Sequence, residues 1–182
     1  MRQGKEIVDL GCGSKKTPGA WGVDCFPYAG VDQVHDLESY PWPLAADRFD
    51  RVICRHILEH VADPVAFLAE VHRIGRDGAI VEFYTPHFSS VNSWLDPTHR
   101  RHLSVEWCQP FLAGGYLAAR TGLFEQLSSV PTFSKSSLMG LLTRGLVAVC
   151  GLRRWEKYLA FRWPARDIET QLRIVKQPVP QA

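Results

Sequence analysis

Three short segments of this 182-residue chain gather side chains able to move a proton or hold a metal. The first is His56-Ile57-Leu58-Glu59-His60, the second Pro86-His87-Phe88, and the third Asp96-Pro97-Thr98-His99-Arg100-Arg101-His102. Histidine changes charge near neutrality, so it suits removal of a proton from a hydroxyl. His99, then His87, then His56 are the candidates for such a base, and Arg100 or Arg101 could bind an anionic group on a substrate. A solvated turn ahead of Ser104 is the competing account of the third segment. The first segment also spells H-x-x-E-H, the inverted zinc-protease motif, whose histidines need a continuous helix to share one face. Here the motif directly follows an apolar strand-like run, Arg51 to Cys54, and helix-start residues come only at Asp63-Pro64. No metal is therefore expected. Glu59 and His60 are read as groups that hold the loop, and His56 as facing the open end of the strand, where α/β proteins bind ligands.

A fourth segment, Ile7-Val8-Asp9-Leu10-Gly11-Cys12-Gly13, is an apolar strand ending in a carboxylate and then a glycine turn. Gly11 and Gly13 let the backbone come close to a ligand, as in any nucleotide-binding strand and loop. The acid selects among ligands. A dinucleotide would bring a doubly negative pyrophosphate against Asp9, and the sixth position of G-x-G-x-x-G is Lys16 instead of glycine. A cationic ligand suits the loop better. S-adenosylmethionine carries an ammonium and a sulfonium that Asp9 would attract, while Lys15 or Lys16 could meet its carboxylate.

Asp9-Leu10-Gly11-Cys12-Gly13 resembles motif I of the class I S-adenosylmethionine-dependent methyltransferases, and the likeness continues in order along the chain. Trp21-Gly22-Val23-Asp24 is similar to the second strand of that family, whose terminal acid accepts hydrogen bonds from the ribose hydroxyls. His35-Asp36-Leu37 resembles the turn that reads the adenine edge. Phe49 to Val61 is similar to the fourth strand and the segment after it, and Ile74 to Ala79 to the turn into the fifth. The resemblance spans about Ile7 to Leu103. It implies S-adenosylmethionine as cofactor, methyl transfer as activity, and Asp9, Gly11, Cys12, Gly13, Asp24, Asp36, Leu37 and Arg55 as cofactor-binding residues. Two departures stand out: Lys15 replaces the third loop glycine, and Asp24 follows Asp9 by 15 positions instead of the usual ~20. The first helix of the family should therefore be reduced to a turn. A catalytically silent adenosylmethionine-binding module, and an NAD-dependent oxidoreductase using the same loop, are the rival readings.

The elements needed to position these groups are legible as strands at Ile7–Leu10, Trp21–Val23, Gln33–His35, Arg51–Cys54 and Ala79–Tyr84, each bounded by Gly, Pro, Asp or charged residues. A crossover helix should start at Asp63-Pro64, and a second helix, capped by Ser104, should run to about Arg120 and end at Gly122. Leu123–Val130 and Ile168–Val175 follow as strands, the latter alternating apolar and polar residues. A mainly helical insertion, about 134–163, separates them. With the family resemblance this predicts a single α/β domain over 1–182. Its fold is a Rossmann-like three-layer sandwich with a seven-stranded, mainly parallel sheet whose last strand is antiparallel.

Bulk properties narrow the partners. Lysine and arginine total 21 against 19 acidic residues, so no broad positive field exists to hold a nucleic acid by counterion release. A small-molecule or glycan-type acceptor is expected instead. The cysteines Cys12, Cys25, Cys54, Cys108 and Cys150 are odd in number and scattered, which argues against a disulfide framework and for a reducing cytoplasm. The segment Met1–Glu6 has no apolar core of a signal peptide. The apolar run Leu138 to Leu152, interrupted by Thr143 and Arg144, is too short to cross a bilayer. Beside it Arg153, Arg154, Trp155, Lys157, Tyr158, Arg162 and Trp163 form a basic and aromatic cluster, which leaves a lid, a dimer face or a peripheral membrane contact open. The oligomeric state is not encoded in any of these features.

Overall fold

A computed structural model describes residues 6–134 and 136–176. Its sheet strands are β1 (Ile7–Leu10), β2 (Trp21–Asp24), β3 (Gln33–Val34), β4 (Phe49–Arg55), β5 (Gly75–Pro86), β6 (Leu123–Pro131) and β7 (Asp167–Val175). The helices are α1 (Pro64–Ile74), α2 (Asn92–Leu95), α3 (Ala118–Thr121), α4 (Leu138–Cys150) and α5 (Leu152–Tyr158). The strands lie in the order β3-β2-β1-β4-β5-β7-β6, parallel from β3 to β5, with β7 antiparallel to both neighbours. Strand order reverses between β1 and β4, so the crevice beyond their carboxyl ends is the ligand-binding position of an open α/β sheet.

The central strands are buried on both faces, which is why β1 and β4 read as nearly unbroken apolar runs: Val8, Leu10, Val52 and Cys54 have no exposed surface. Helix α1 starts where the sequence predicts. The Asp63 side chain accepts from Val65 N and Ala66 N, Pro64 occupies the first turn, and Phe67, Leu68, Val71 and Ile74 form the buried face. Asp63→Ala should cost about 0.5–2 kcal/mol of stability, read as a shifted midpoint with an unchanged slope in urea unfolding. On β7, Ile168, Thr170, Leu172 and Ile174 are buried while Glu169, Gln171 and Arg173 face out, as the alternation requires.

Burial of His72 on α1 lowers its pKa below the ordinary histidine value, although its Nε2 meets the Val175 carbonyl at 3.2 Å. A depressed histidine pKa makes protonation favour the unfolded chain. Its stabilising contribution is complete above the unfolded value of ~6.5 and is lost as pH falls from there through the folded value. The acid limb of the stability profile should be shallower in His72→Phe, which keeps a ring beside Phe124; an unchanged limb would assign it to other groups.

The single helix expected from Ser104 to Arg120 does not form. That stretch contains turns, a 3-10 turn at Gln109–Phe111 and the four-residue α3. Pro110 removes a backbone donor, Gly114 takes a positive φ of 83°, and the chain doubles back so tightly that a Cβ on Gly115 would lie 2.3 Å from the Pro110 carbonyl oxygen. The connections after β1 and β2 are turns without helix, as the short spacing predicts.

Helices α4 and α5 carry a satellite core centred on Trp155, Ala160 and Ala165, against which Phe88, Phe133 and Trp163 pack. The outer side of α4 leaves Leu138, Leu141, Leu142 and Val149 exposed. Among the described residues no helix is long and apolar enough to cross a membrane. The segment Met1–Lys5, on which part of the leader-peptide expectation rests, lies outside the described residues, as does Lys135 of the expected insertion.

Candidate active site

Leaving β1, the chain turns through Gly11 (φ 65°) and Gly13 (φ 53°), a conformation that side-chain-bearing residues rarely adopt. A Cβ on Gly11 would press on Ile57 Cδ1 at 3.0 Å, whereas one on Gly13 would meet nothing within 4 Å. The loop is pinned to β2. Gly11 N and Cys12 N donate to the Val23 carbonyl, and Gly13 N donates to Asp24 Oδ2 at 2.8 Å. Asp24 Oδ1 accepts from Phe26 N at 3.0 Å, so the carboxylate is fixed at the mouth of the crevice. Beside it opens a cavity of about 200 Å³ lined by Gly11, Asp24, Cys25, Asp36, Leu37, Glu38, Ile57, His60 and Val61.

This lining fits a nucleoside. Leu37, Ile57 and Val61 supply apolar surface for a flat base, and carboxylates at Asp24 and Asp36 supply acceptors for hydroxyl and amino groups. Three carboxylates in the lining, Asp24, Asp36 and Glu38, would repel a pyrophosphate, which weakens the dinucleotide alternative.

Asp9 sits deeper than its place in the motif implies. It is wholly buried, and its Oδ2 accepts from Thr17 N (2.7 Å), Thr17 Oγ1 (2.8 Å) and Arg55 Nη2 (2.5 Å). Asp9 and Arg55 therefore form an ion pair that braces the loop, and neither lines the cavity. Asp9 Oδ1 is buried without a partner, the orphaned acceptor that an ammonium donor would satisfy. Lys16 is paired with Asp32 at 2.6 Å. The Cys12 thiol is buried, and desolvation raises its pKa, so it contributes backbone and packing, with no nucleophile.

The histidines separate into three environments. His56, exposed at the carboxyl end of β4, has a positive φ of 51° and approaches Glu59 Oε1 through Nδ1 at 3.3 Å. Its pKa is raised, first by that hydrogen bond and against the effect of burial. The chain bends at His56 and residues 58–60 form a turn, so His56 and His60 do not share a helix face and the helical zinc-protease arrangement is not formed. His87 is fully buried, with Nδ1 on Ser89 Oγ (2.8 Å) and Nε2 on Glu156 Oε1 (3.0 Å), between Phe88 and Trp155. It anchors α5 and does not line the cavity.

His99 is brought back onto the first segment, its ring centroid 4.7 Å from that of His60. The fold-back is stapled by backbone: Arg100 N donates to the Glu59 carbonyl at 2.8 Å, and the Arg101 guanidinium donates to the carbonyls of Leu58, Val61 and Ala62. Arg101 is thus engaged within the protein, and Arg100 lies 3.8 Å from Glu38. Sequence reasoning did not find Glu156, Thr17 or Thr98 as partners of these groups. The hydroxyl of Thr98, within the singled-out Asp96–His102 segment, was the one available signal.

The strand order and the glycine loop at its switch point define a nucleotide-binding α/β protein of the Rossmann-like class. A family described as a methyltransferase domain matches residues 1–141. The chain belongs to that family, the class I S-adenosylmethionine-dependent methyltransferases. A ubiquinone biosynthesis O-methyltransferase of Pseudomonas syringae pv. tomato is 32% identical over 103 residues, covering 45% of this chain and 44% of the relative. The chain therefore spans less than half the length of the curated relatives it matches. An S-adenosylmethionine-dependent methyltransferase from Archaeoglobus fulgidus has the same fold at a TM-score of 0.62 and 16% identity, covering 93% of this chain and 86% of its own. The [4+2]-cyclase SpnF shares it too, with a TM-score of 0.60 and 16% identity over 94% of this chain and 76% of its own. One fold thus serves more than one reaction.

Proposed function

We propose that this protein transfers the methyl group of S-adenosylmethionine to a hydroxyl of a small-molecule or glycan-type acceptor, in the cytoplasm. The observation that carries this reading is Asp24, held by two backbone donors at the edge of an apolar cavity directly above the glycine loop. When bound, the cofactor supplies a methyl group already activated on a sulfonium. The chain's own tasks are to hold the nucleoside, to align the acceptor oxygen in line with the methyl group, and to take up the hydroxyl proton.

In this reading Asp24 receives the ribose hydroxyls, Asp36 and the Leu37 amide meet the adenine edge, and the Asp9–Arg55 pair shapes the loop for the methionine end. The proton falls to the histidine set His99, His87 and His56. Of these, His56 is exposed at the carboxyl end of β4, His99 packs on His60, and His87 would first have to give up Glu156. The relative that methylates an oxygen in ubiquinone biosynthesis supports a hydroxyl as acceptor. A silent cofactor-binding module is the alternative reading.

Calorimetric titration with S-adenosylmethionine, S-adenosylhomocysteine and NAD tests the first half. Binding of the first two at one per chain, with no heat from NAD, is expected; binding of NAD alone would overturn it. Release of S-adenosylhomocysteine in the presence of a hydroxylated acceptor tests the second half, and tight binding without turnover on any acceptor would favour the silent module.

A further inference from the structure

Glu59, His60 and His99 each place a ligand-capable atom within 4.8 Å of the other two. Metal was excluded on sequence grounds because His56 and His60 do not share a helix face; in the fold, His99 takes the place of His56. The hydrogen bonds at Nδ1 of each ring fix which nitrogen is free. His99 Nδ1 lies 3.0 Å from the Ser93 carbonyl, which can only accept, so Nδ1 carries the proton and Nε2 the lone pair. His60 Nδ1 lies 2.9 Å from Thr98 Oγ1, whose own proton goes to Asp96 Oδ1 at 2.6 Å. The Thr98 oxygen must therefore accept, and His60 Nε2 is likewise the lone-pair nitrogen.

The third member is a carboxylate 1% exposed. Glu59 Oε1 is turned to His56, and Oε2 is buried without a hydrogen-bond partner. Two imidazoles and a buried carboxylate thus bring ligand-capable atoms within 4.8 Å of one another, and the unpartnered Glu59 Oε2 is a buried acceptor that a cation would satisfy. Outer acceptors that hold each ring in a single tautomer are the usual support of metal-binding histidines.

We propose that Glu59, His60 and His99 form a binding site for a divalent transition cation of the zinc type. Two neutral nitrogens and one carboxylate oxygen favour zinc, iron or manganese over magnesium and calcium, which prefer all-oxygen shells. Three protein ligands leave a coordination position open, and His60 also lines the nucleoside cavity. The cation would sit at the carboxyl end of β4, where it could bind an acceptor hydroxyl and make its proton acidic. The site stands on side-chain geometry alone, whereas its use on an acceptor rests on the methyl-transfer reading.

The test uses the full chain, stripped with chelator, dialysed, and titrated with zinc chloride. Metal content is read by mass spectrometry and melting temperature by calorimetry. One zinc per chain and a raised melting temperature are expected. Glu59→Gln and His99→Ala should each lose at least tenfold in affinity, and Thr98→Val, which removes the outer hydrogen bond of His60 together with the Thr98–Asp96 bond, should lose roughly 10- to 100-fold. His102→Ala, stacked on Trp94 outside the cluster, should bind as the parent does. Binding of S-adenosylhomocysteine by each variant reports that it is folded. Failure to take up zinc, uptake undiminished in both Glu59→Gln and His99→Ala, or a response to magnesium alone would each overturn the site. Zinc held by these residues in a chain that binds no S-adenosylmethionine would leave the site standing and sink the methyl-transfer reading instead.

Discussion

Replacing Asp24 with alanine is expected to weaken S-adenosylmethionine binding by about 1.5–3 kcal/mol, roughly 10- to 150-fold in affinity. The carboxylate is charged, partly desolvated and fixed by Gly13 N and Phe26 N. A ribose hydroxyl therefore meets an acceptor that needs no ordering when it binds. The same two hydrogen bonds add a cost that the motif alone does not reveal. Without Asp24, the amides of Gly13 and Phe26 lose their acceptor, so the glycine loop should loosen and the melting temperature should fall as well. Asp24→Asn separates the two effects: it retains a carbonyl acceptor for one amide and keeps much of the loop, yet removes the charge. The expected order of affinity in calorimetric titration is parent, Asp24→Asn, then Asp24→Ala. Parent-like affinity in Asp24→Ala would mean that the ribose lies elsewhere and that the carboxylate serves only the loop.

The parts of this site that could be read from the sequence are those set by neighbours in the chain. The glycine turn after β1, the acid ending β2 and the Asp63-Pro64 start of α1 are local signals. Each fell within a residue or two of its expected place, because a few adjacent side chains decide the backbone there. β7 was legible for a similar reason, since a sheet with one packed face imposes alternation. What failed to read was non-local or turned on competition between signals. Ser104 and Gly122 look like the two ends of a helix, but Pro110 and the Gly114-Gly115 pair between them favour a tight doubling-back that no end signal can outweigh.

The pairing of Arg55 with Asp9 and of His87 with Glu156 joins residues 46 and 69 positions apart. Their types were visible and their partners were not. Asp9 illustrates the cost of that gap. Taken with its neighbours it reads as an attraction for a cationic ligand, whereas in the fold Arg55 and Thr17 consume one of its oxygens and only Oδ1 stays unpaired.

The assignment of the proton-accepting histidine has the largest expected effect. Substituting the true base should lower kcat by roughly 10²–10⁴ while leaving cofactor affinity intact, because a base acts on the acceptor and does not touch the nucleoside. The three candidates predict different secondary signatures. His87→Ala empties a buried site beside Trp155 and leaves Glu156 without its partner, so it should lower the melting temperature and affect turnover only through stability. His56→Ala removes an exposed ring whose Nδ1 faces Glu59. If His56 is the base, turnover should collapse with the fold, the cofactor affinity and the zinc content all unchanged. His99→Ala should lose turnover together with zinc if the Glu59–His60–His99 cluster holds a cation, and turnover alone if His99 itself accepts the proton. Measuring kcat, cofactor affinity, metal content and melting temperature on the three variants therefore separates a base, a metal ligand and a structural anchor. Full activity in all three would remove histidine from the chemistry and leave alignment of the acceptor with the methyl group as the source of the rate.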